Sequence, residues 1–140
     1  MGDFLAWRAA DMTAPREGIA QTARLFLGDP YYWGGRSAFK VDCSGLVGLT
    51  FQAHDITIPR DAHEQWMKAR PISREQLAPG DLVFLSDAKD SQKITHVMLY
   101  VGNGRIIEGP GTGEKVREIN LDQRLRAAQG RRVAFGSYLE

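Results

Sequence analysis

The stretch Ile94-Thr95-His96-Val97-Met98-Leu99-Tyr100-Val101-Gly102-Asn103-Gly104-Arg105-Ile106-Ile107-Glu108 decides the fold. Two apolar runs flank a Gly-Asn-Gly loop, which is the pattern of an antiparallel hairpin. Strands are therefore expected over Ile94–Val101 and Arg105–Glu108. Period-two patterning begins after Pro79, and Asp81–Leu85 reads as a strand, with a further one near Val133–Tyr138. Upstream, the period is helical. Pro15 opens a helix at a position where its missing N–H costs nothing, and Glu17 suits the first turn. Ile19, Ala23, Phe26 and Leu27 follow the spacing of one buried face. Gly28 stops this helix and Asp29-Pro30 turns the chain. Residues 31–42 read as a loop. A second helix is expected from Cys43 to His54, with Leu46, Val47 and Phe51 as its apolar stripe, and a short third from Asp61 to Arg70. Helices first and an antiparallel sheet after them predict an α+β fold.

Composition bounds what this fold can do. The 140 residues suit one domain. Residues 1–14 show no clear period and read as an arm or linker, leaving 15–140 as the folded unit. Eighteen Lys and Arg against 17 Asp and Glu leave a formal charge of +1, which gives no footprint for nucleic acid or an anionic membrane. No apolar run is long enough to span a bilayer. The N-terminus lacks the basic flank and apolar run of a signal peptide, and the compartment stays open: periplasmic or extracellular if exported, cytoplasmic if the chain acts on free fragments. The basic C-terminal residues Arg117, Arg124, Arg126, Arg131 and Arg132 suit contact with an acidic polymer or, the favoured reading, a solvated surface. There is one cysteine, so no internal disulfide and no multi-thiolate zinc site can form.

Cys43 is either a small buried hydrophobe or a reactive thiol. It opens the second helix, where free N–H groups and the helix dipole favour an anion. Its neighbours Asp42 and Ser44 want hydrogen-bond partners, which argues against deep burial. A nucleophilic thiol needs a base, and the chain has three histidines. His54 sits in the last turn of the second helix and reads as structural or exposed. His63, beside Glu64, reads as part of a solvated face. His96 lies on a strand, where it can face a thiol held at a helix start.

Strand parity tests whether Glu108 can orient His96. If Asn103-Gly104 alone formed the loop, Tyr100 would oppose Ile107 and Glu108 would point away. With Gly102-Asn103-Gly104 as a three-residue loop, Met98 opposes Glu108, which is then a diagonal neighbour of His96. The three-residue loop is the expectation.

Several motifs together resemble the NlpC/P60 cysteine peptidases. They are Pro30-Tyr31-Tyr32-Trp33-Gly34-Gly35, Asp42-Cys43-Ser44-Gly45-Leu46-Val47, Ile58-Pro59-Arg60-Asp61 with Gln65, Pro79-Gly80-Asp81-Leu82-Val83-Phe84, and the run from His96 to Gly104. The resemblance covers roughly residues 16–120 and implies a reduced papain-like fold, with N-terminal helices packed on an antiparallel sheet. It implies a bacterial cell-wall endopeptidase cutting the bond between D-glutamate and a diamino acid. Cys43 is then the nucleophile, His96 the base, and Tyr31 a donor to the oxyanion. The family's third catalytic position, often histidine, is here Glu108. Asp42, Ser44, Arg60 and Asp61 are expected near the substrate. Asp61 is suited either to the substrate's N-terminal amine or to capping the third helix. Arg60 is suited to a structural ion pair or a substrate carboxylate. No metal or cofactor enters such a mechanism. A peptidoglycan-derived peptide is the implied partner, with an accessory wall-binding domain possible outside this chain. An amidase or acyltransferase using the same Cys–His chemistry, and an inactive wall-binding module, are the alternative classes.

Overall fold

The computed structural model describes residues 15–28, 42–109 and 114–140. The expected arm at residues 1–14 and the loop carrying Tyr31 lie outside the described residues. Helix α1 spans Pro15–Arg24, α2 Cys43–Gln52 and α3 Ala62–Lys68. Strand β1 (Arg70–Pro71) and a 3-10 turn (Arg74–Gln76) follow. Then come β2 (Leu82–Ser86), β3 (Ile94–Gly102), β4 (Arg105–Glu108), β5 (Arg117–Asn120), α4 (Leu121–Ala127) and β6 (Val133–Ser137). The strands form one six-stranded antiparallel sheet in the order β1-β6-β2-β3-β4-β5.

Each helix start follows its sequence signal. Asp42 caps α2 by accepting from the Gly45 N–H at 2.6 Å, and Asp61 caps α3 by accepting from the Glu64 N–H at 2.9 Å. The ends are shorter than expected. Helix α1 stops at Arg24 and the chain continues as a turn to Gly28, so Leu27 is exposed rather than part of the buried face. Helix α2 stops at Gln52, two residues before His54, and Arg70 belongs to β1 rather than to α3.

The sheet is covered on both faces. On one, α1, α2 and α3 bury Ile19, Leu46, Val47 and Phe51 against Leu82, Phe84, Val97 and Leu99. On the other, Leu121 and Ala128 pack on Val83, Leu85, Met98 and Ile106. Every residue of β2 is therefore buried, which explains its unbroken Leu-Val-Phe-Leu run.

The β3–β4 hairpin settles the parity question in an unexpected way. Gly102 opposes Arg105, so the tip is the two-residue turn Asn103-Gly104. Both residues have positive φ (55° and 72°), the type I′ geometry that Asn-Gly favours. The expected three-residue loop is thus incorrect. Yet Tyr100 opposes Ile106 and Leu99 opposes Ile107, with a bulge at Val101 between Tyr100 and Gly102. The bulge inserts the odd residue that the loop was expected to supply. The register, and with it the facing of His96 and Glu108, comes out as expected.

Strand β6 lies between β1 and β2, and Gly136 there pairs with both Pro71 and Leu82. A Cβ at Gly136 would lie 2.7 Å from the Ala69 Cβ and 3.1 Å from Phe84 Cε2. Gly136→Ala is expected to cost about 1–3 kcal/mol by overpacking, read as a lowered Tm in thermal denaturation. An unchanged Tm would contradict this packing.

Candidate active site

Cys43 is the first residue of α2, and its position there is fixed by two interlocking contacts. Asp42 anchors the helix N-terminus, and Arg60 anchors Asp42. The Arg60 guanidinium donates to Asp42 Oδ1 at 3.2 Å and Oδ2 at 3.0 Å, and to Ser44 Oγ at 2.9 Å. This is the structural ion pair anticipated for Arg60. It lets Asp42 and Ser44 stay buried, contrary to the expectation that their polarity would keep this segment exposed. Cys43 itself is only 7% exposed. Gln65 adds a further tie, donating to the Ser44 carbonyl at 3.1 Å and the Pro59 carbonyl at 2.9 Å.

The thiol of Cys43 lies 3.9 Å from the Thr95 carbonyl, next to His96 on β3. His96 Nε2 is 2.7 Å from Glu108 Oε1. With Nε2 so engaged, Nδ1 is the nitrogen left to meet the thiol. Burial disfavours the imidazolium, but hydrogen bonding and charge attraction from Cys43 and Glu108 outweigh it, so His96 titrates above the ordinary histidine value.

Glu108 has no exposed surface. Burial alone would raise its pKa. Its bond and attraction to His96, with hydrogen bonds from Arg117 and Arg124, instead pull it down to about 2. Arg117 stands directly across the β4–β5 ladder from Glu108, and Arg124 arrives from α4. Arg124 is therefore not part of a solvated basic surface, as the sequence had suggested, whereas Arg117 keeps one side in solvent while its guanidinium pairs with Glu108. Arg131 is also engaged, donating to the Ser86 carbonyl at 2.5 Å and to Thr95 Oγ1 at 3.1 Å, and Arg132 lies over the Trp66 ring.

A cleft of about 570 Å³ opens beside the thiol, lined by Asp42, Cys43, Ser44, Arg60, Asp61, Ala62, His63, Lys93, Ile94 and Thr95. Asp61 thus both caps α3 and faces the cleft. His63 was expected on a solvated face. Instead it is half-buried at the cleft, accepting from the Ile94 N–H at 3.0 Å through Nδ1 and packing on Trp66. His54 is remote from the cleft and pairs with Thr22 Oγ1 at 2.7 Å, a structural contact. Sequence reasoning missed the roles of His63, Arg117 and Arg124. Arg117 and Arg124 were accessible in principle, because Asn120 is a helix cap and Leu121, Leu125 and Ala128 repeat at helical spacing.

The NlpC/P60 family model matches residues 28–132. The chain belongs to the NlpC/P60 family. The γ-D-glutamyl-L-lysine dipeptidyl-peptidase of Bacillus subtilis is 39% identical over 107 residues, which cover 76% of this chain and 36% of that protein. The murein DD-endopeptidase MepH of Escherichia coli is 41% identical over 103 residues, 69% of this chain and 37% of that one. The crystal structure of an NlpC/P60 family protein from Bacillus cereus superposes with a TM-score of 0.81 at 32% identity, covering 89% of this chain and 40% of that one. The chain thus spans little more than a third of these relatives' length. The NlpC/P60 fold agrees with the expected α+β, papain-like architecture of helices on an antiparallel sheet.

The depressed pKa of Glu108 has a consequence for stability. The ionised carboxylate stabilises the fold above its unfolded value of about 4.3, and that contribution is lost as pH falls toward 2. The raised pKa of His96 acts oppositely: its contribution is present below about pH 6.5 and is lost as pH rises through the folded value. Urea unfolding free energies should therefore peak between about pH 4.5 and 6.5. Glu108→Gln should flatten the acid side and cost about 3–5 kcal/mol at neutral pH, chiefly by stranding the Arg124 guanidinium, since Arg117 is screened by water. An acid limb as steep in the variant as in the parent would contradict this account.

Proposed function

We propose that residues 15–140 form a cysteine endopeptidase domain that hydrolyses peptidoglycan-derived peptides at the γ-D-glutamyl–diamino acid bond. The observation that carries this reading is the line Cys43, His96, Glu108 beside a cleft, in a chain whose relatives bear the names of cell-wall peptidases. The Cys43 thiolate attacks the γ-carbonyl of D-glutamate, forming a carbon–sulfur bond and an oxyanion. The backbone N–H of Cys43, at the helix start, and the hydroxyl of Tyr31 are the oxyanion donors in this reading. His96 Nδ1 gives its proton to the leaving amine as the C–N bond breaks. Neutral His96 then takes a proton from water, which attacks the thioester and releases the acid. Glu108 holds the imidazole by Nε2 throughout and stabilises its charged form. The mechanism calls for neither metal nor cofactor.

At the substrate side, Arg60 and Asp42 act by holding the Ser44 wall of the cleft in place. Asp61 meets the free N-terminal amine of the substrate. Its Oδ1 accepts the cap hydrogen bond, and an ionised carboxylate has further acceptor sites to offer an ammonium group.

The deciding experiment incubates the protein with L-Ala-γ-D-Glu-diaminopimelate peptides, free and N-acetylated, and reads products by mass spectrometry. Cleavage at the γ-D-glutamyl bond, abolished in Cys43→Ala, is the expected result. Transfer to an added amine in place of hydrolysis would favour an acyltransferase. Iodoacetamide should label Cys43 rapidly at about pH 6, and His96→Ala should slow this at least tenfold. Labelling at the rate of an ordinary thiol would sink the enzyme reading. Asp61→Asn keeps the helix cap and removes the charge, so it should weaken cleavage of free-amine peptides by about tenfold or more and spare acetylated ones. Equal losses on both would count against the amine contact.

A further inference from the structure

Glu108 is held by more donors than the orientation of one imidazole requires. Oε2 accepts from Arg117 Nε at 3.0 Å, Arg117 Nη2 at 2.7 Å and Arg124 Nε at 2.9 Å. Oε1 accepts from His96 Nε2 at 2.7 Å and again from Arg124 Nε at 2.9 Å. Arg124 Nε is thus shared between both oxygens and competes with the imidazole at the oxygen that holds it. The two guanidiniums are also unequal. The Arg124 side chain is 11% exposed and that of Arg117 43%, so Arg124 acts in the less screened surroundings.

We propose that Arg124, supported by Arg117, is a positioning residue that sets how tightly Glu108 holds the proton of His96, and so the pH range in which the Cys43–His96 pair works. This rests on the reading of Cys43 and His96 as the reacting pair. A buried carboxylate with no other partner would bind the imidazolium so strongly that His96 gave up its proton slowly. Efficient acid–base catalysis needs a group that both holds and releases a proton near the working pH. The guanidiniums draw on the same carboxylate charge and weaken its hold, while keeping Glu108 ionised and fixed. The groups around the pair are few. Cys43 faces His96 from α2, Arg117 faces Glu108 from β5, and Arg124 faces it from α4. Arg131 stands beside them, where it feels Arg124, Asp87, Glu108 and Cys43. Removing one guanidinium therefore leaves the carboxylate freer to hold the imidazolium.

The test is a pH titration of the His96 imidazole by NMR in the whole protein, with Tm measured alongside. Arg124→Gln should raise the His96 midpoint by about half a unit or more, roughly a threefold tighter proton. Arg124→Lys, which keeps the charge and loses the shared Nε donor, should lie between the two. Arg117→Gln should shift it the same way by less. On γ-D-glutamyl peptides the alkaline limb of kcat/KM should move up with the midpoint, and kcat should fall with KM unchanged. A midpoint in Arg124→Gln within about 0.2 unit of the parent would overturn the proposal. If Arg124→Gln does not fold, an unmoved midpoint in Arg117→Gln overturns it equally. The titration needs no substrate, so a shifted midpoint with no peptide cleavage would fault the proposed function and leave the role of Arg124 standing.

Discussion

A carboxylate with no exposed surface needs a donor for nearly every lone pair, and Glu108 is such a carboxylate. Much of the C-terminal half of the chain meets that need. Strand β5 brings Arg117 opposite it, α4 brings Arg124 beneath it, and β3 brings His96 alongside. The bulge at Val101 belongs to the same requirement. Without it, the Asn103-Gly104 turn would set the register one residue out, and Glu108 would face the helical layer, where Ile107 now packs. A tight type I′ turn and a buried ion pair are compatible only because one strand carries an extra residue.

The other side of the site is built around a second carboxylate by different means. Asp42 divides itself between the N-terminus of α2 and the guanidinium of Arg60. The cap fixes where the helix begins, and therefore where Cys43 points. Arg60 ties that beginning to the segment leading into α3, whose own cap, Asp61, opens on the cleft. Two carboxylates thus frame the thiol and the imidazole, each clamped by arginine. One positions the Cys43 thiol through a helix terminus, the other the His96 imidazole through a strand pair.

The sequence made legible what depends on local pattern. The apolar spacing in α1 and α2, the cap at Asp61, and the strand parity of His96 and Glu108 are each readable within about fifteen residues. What escaped depends on long-range pairing. Two-residue β1 exists only because β6 offers it an edge, 67 residues away at the Arg70–Ser137 pair. The partners of Arg117 and Arg124 follow from how β5 and α4 wrap the far face of the sheet, and a count of basic residues cannot distinguish a buried clamp from a solvated fringe. His63 was misjudged for a related reason. A polar residue beside Glu64 reads as exposed, but the Ile94 N–H at the start of β3 donates to His63 Nδ1. The loop length was misread because a three-residue loop and a two-residue turn with a bulge give the same parity.

The charges around the thiol explain why this arrangement holds together in a low dielectric. On the proposed reading they alternate along one line: thiolate Cys43, imidazolium His96, carboxylate Glu108, and then the guanidiniums of Arg124 and Arg117. Each ion has its opposite as nearest neighbour, so the burial of none is uncompensated. The line is also open at one end and closed at the other. At Cys43 it ends on the cleft. At the far end Arg117 remains partly solvated, so the last positive charge is screened by water and the line does not have to terminate on a buried ion. A histidine in place of Glu108 would break the alternation, setting a neutral or positive ring against two guanidiniums. In this chain the third residue and the arginines behind it therefore form one unit, and the identity of either is explained only by the presence of the other.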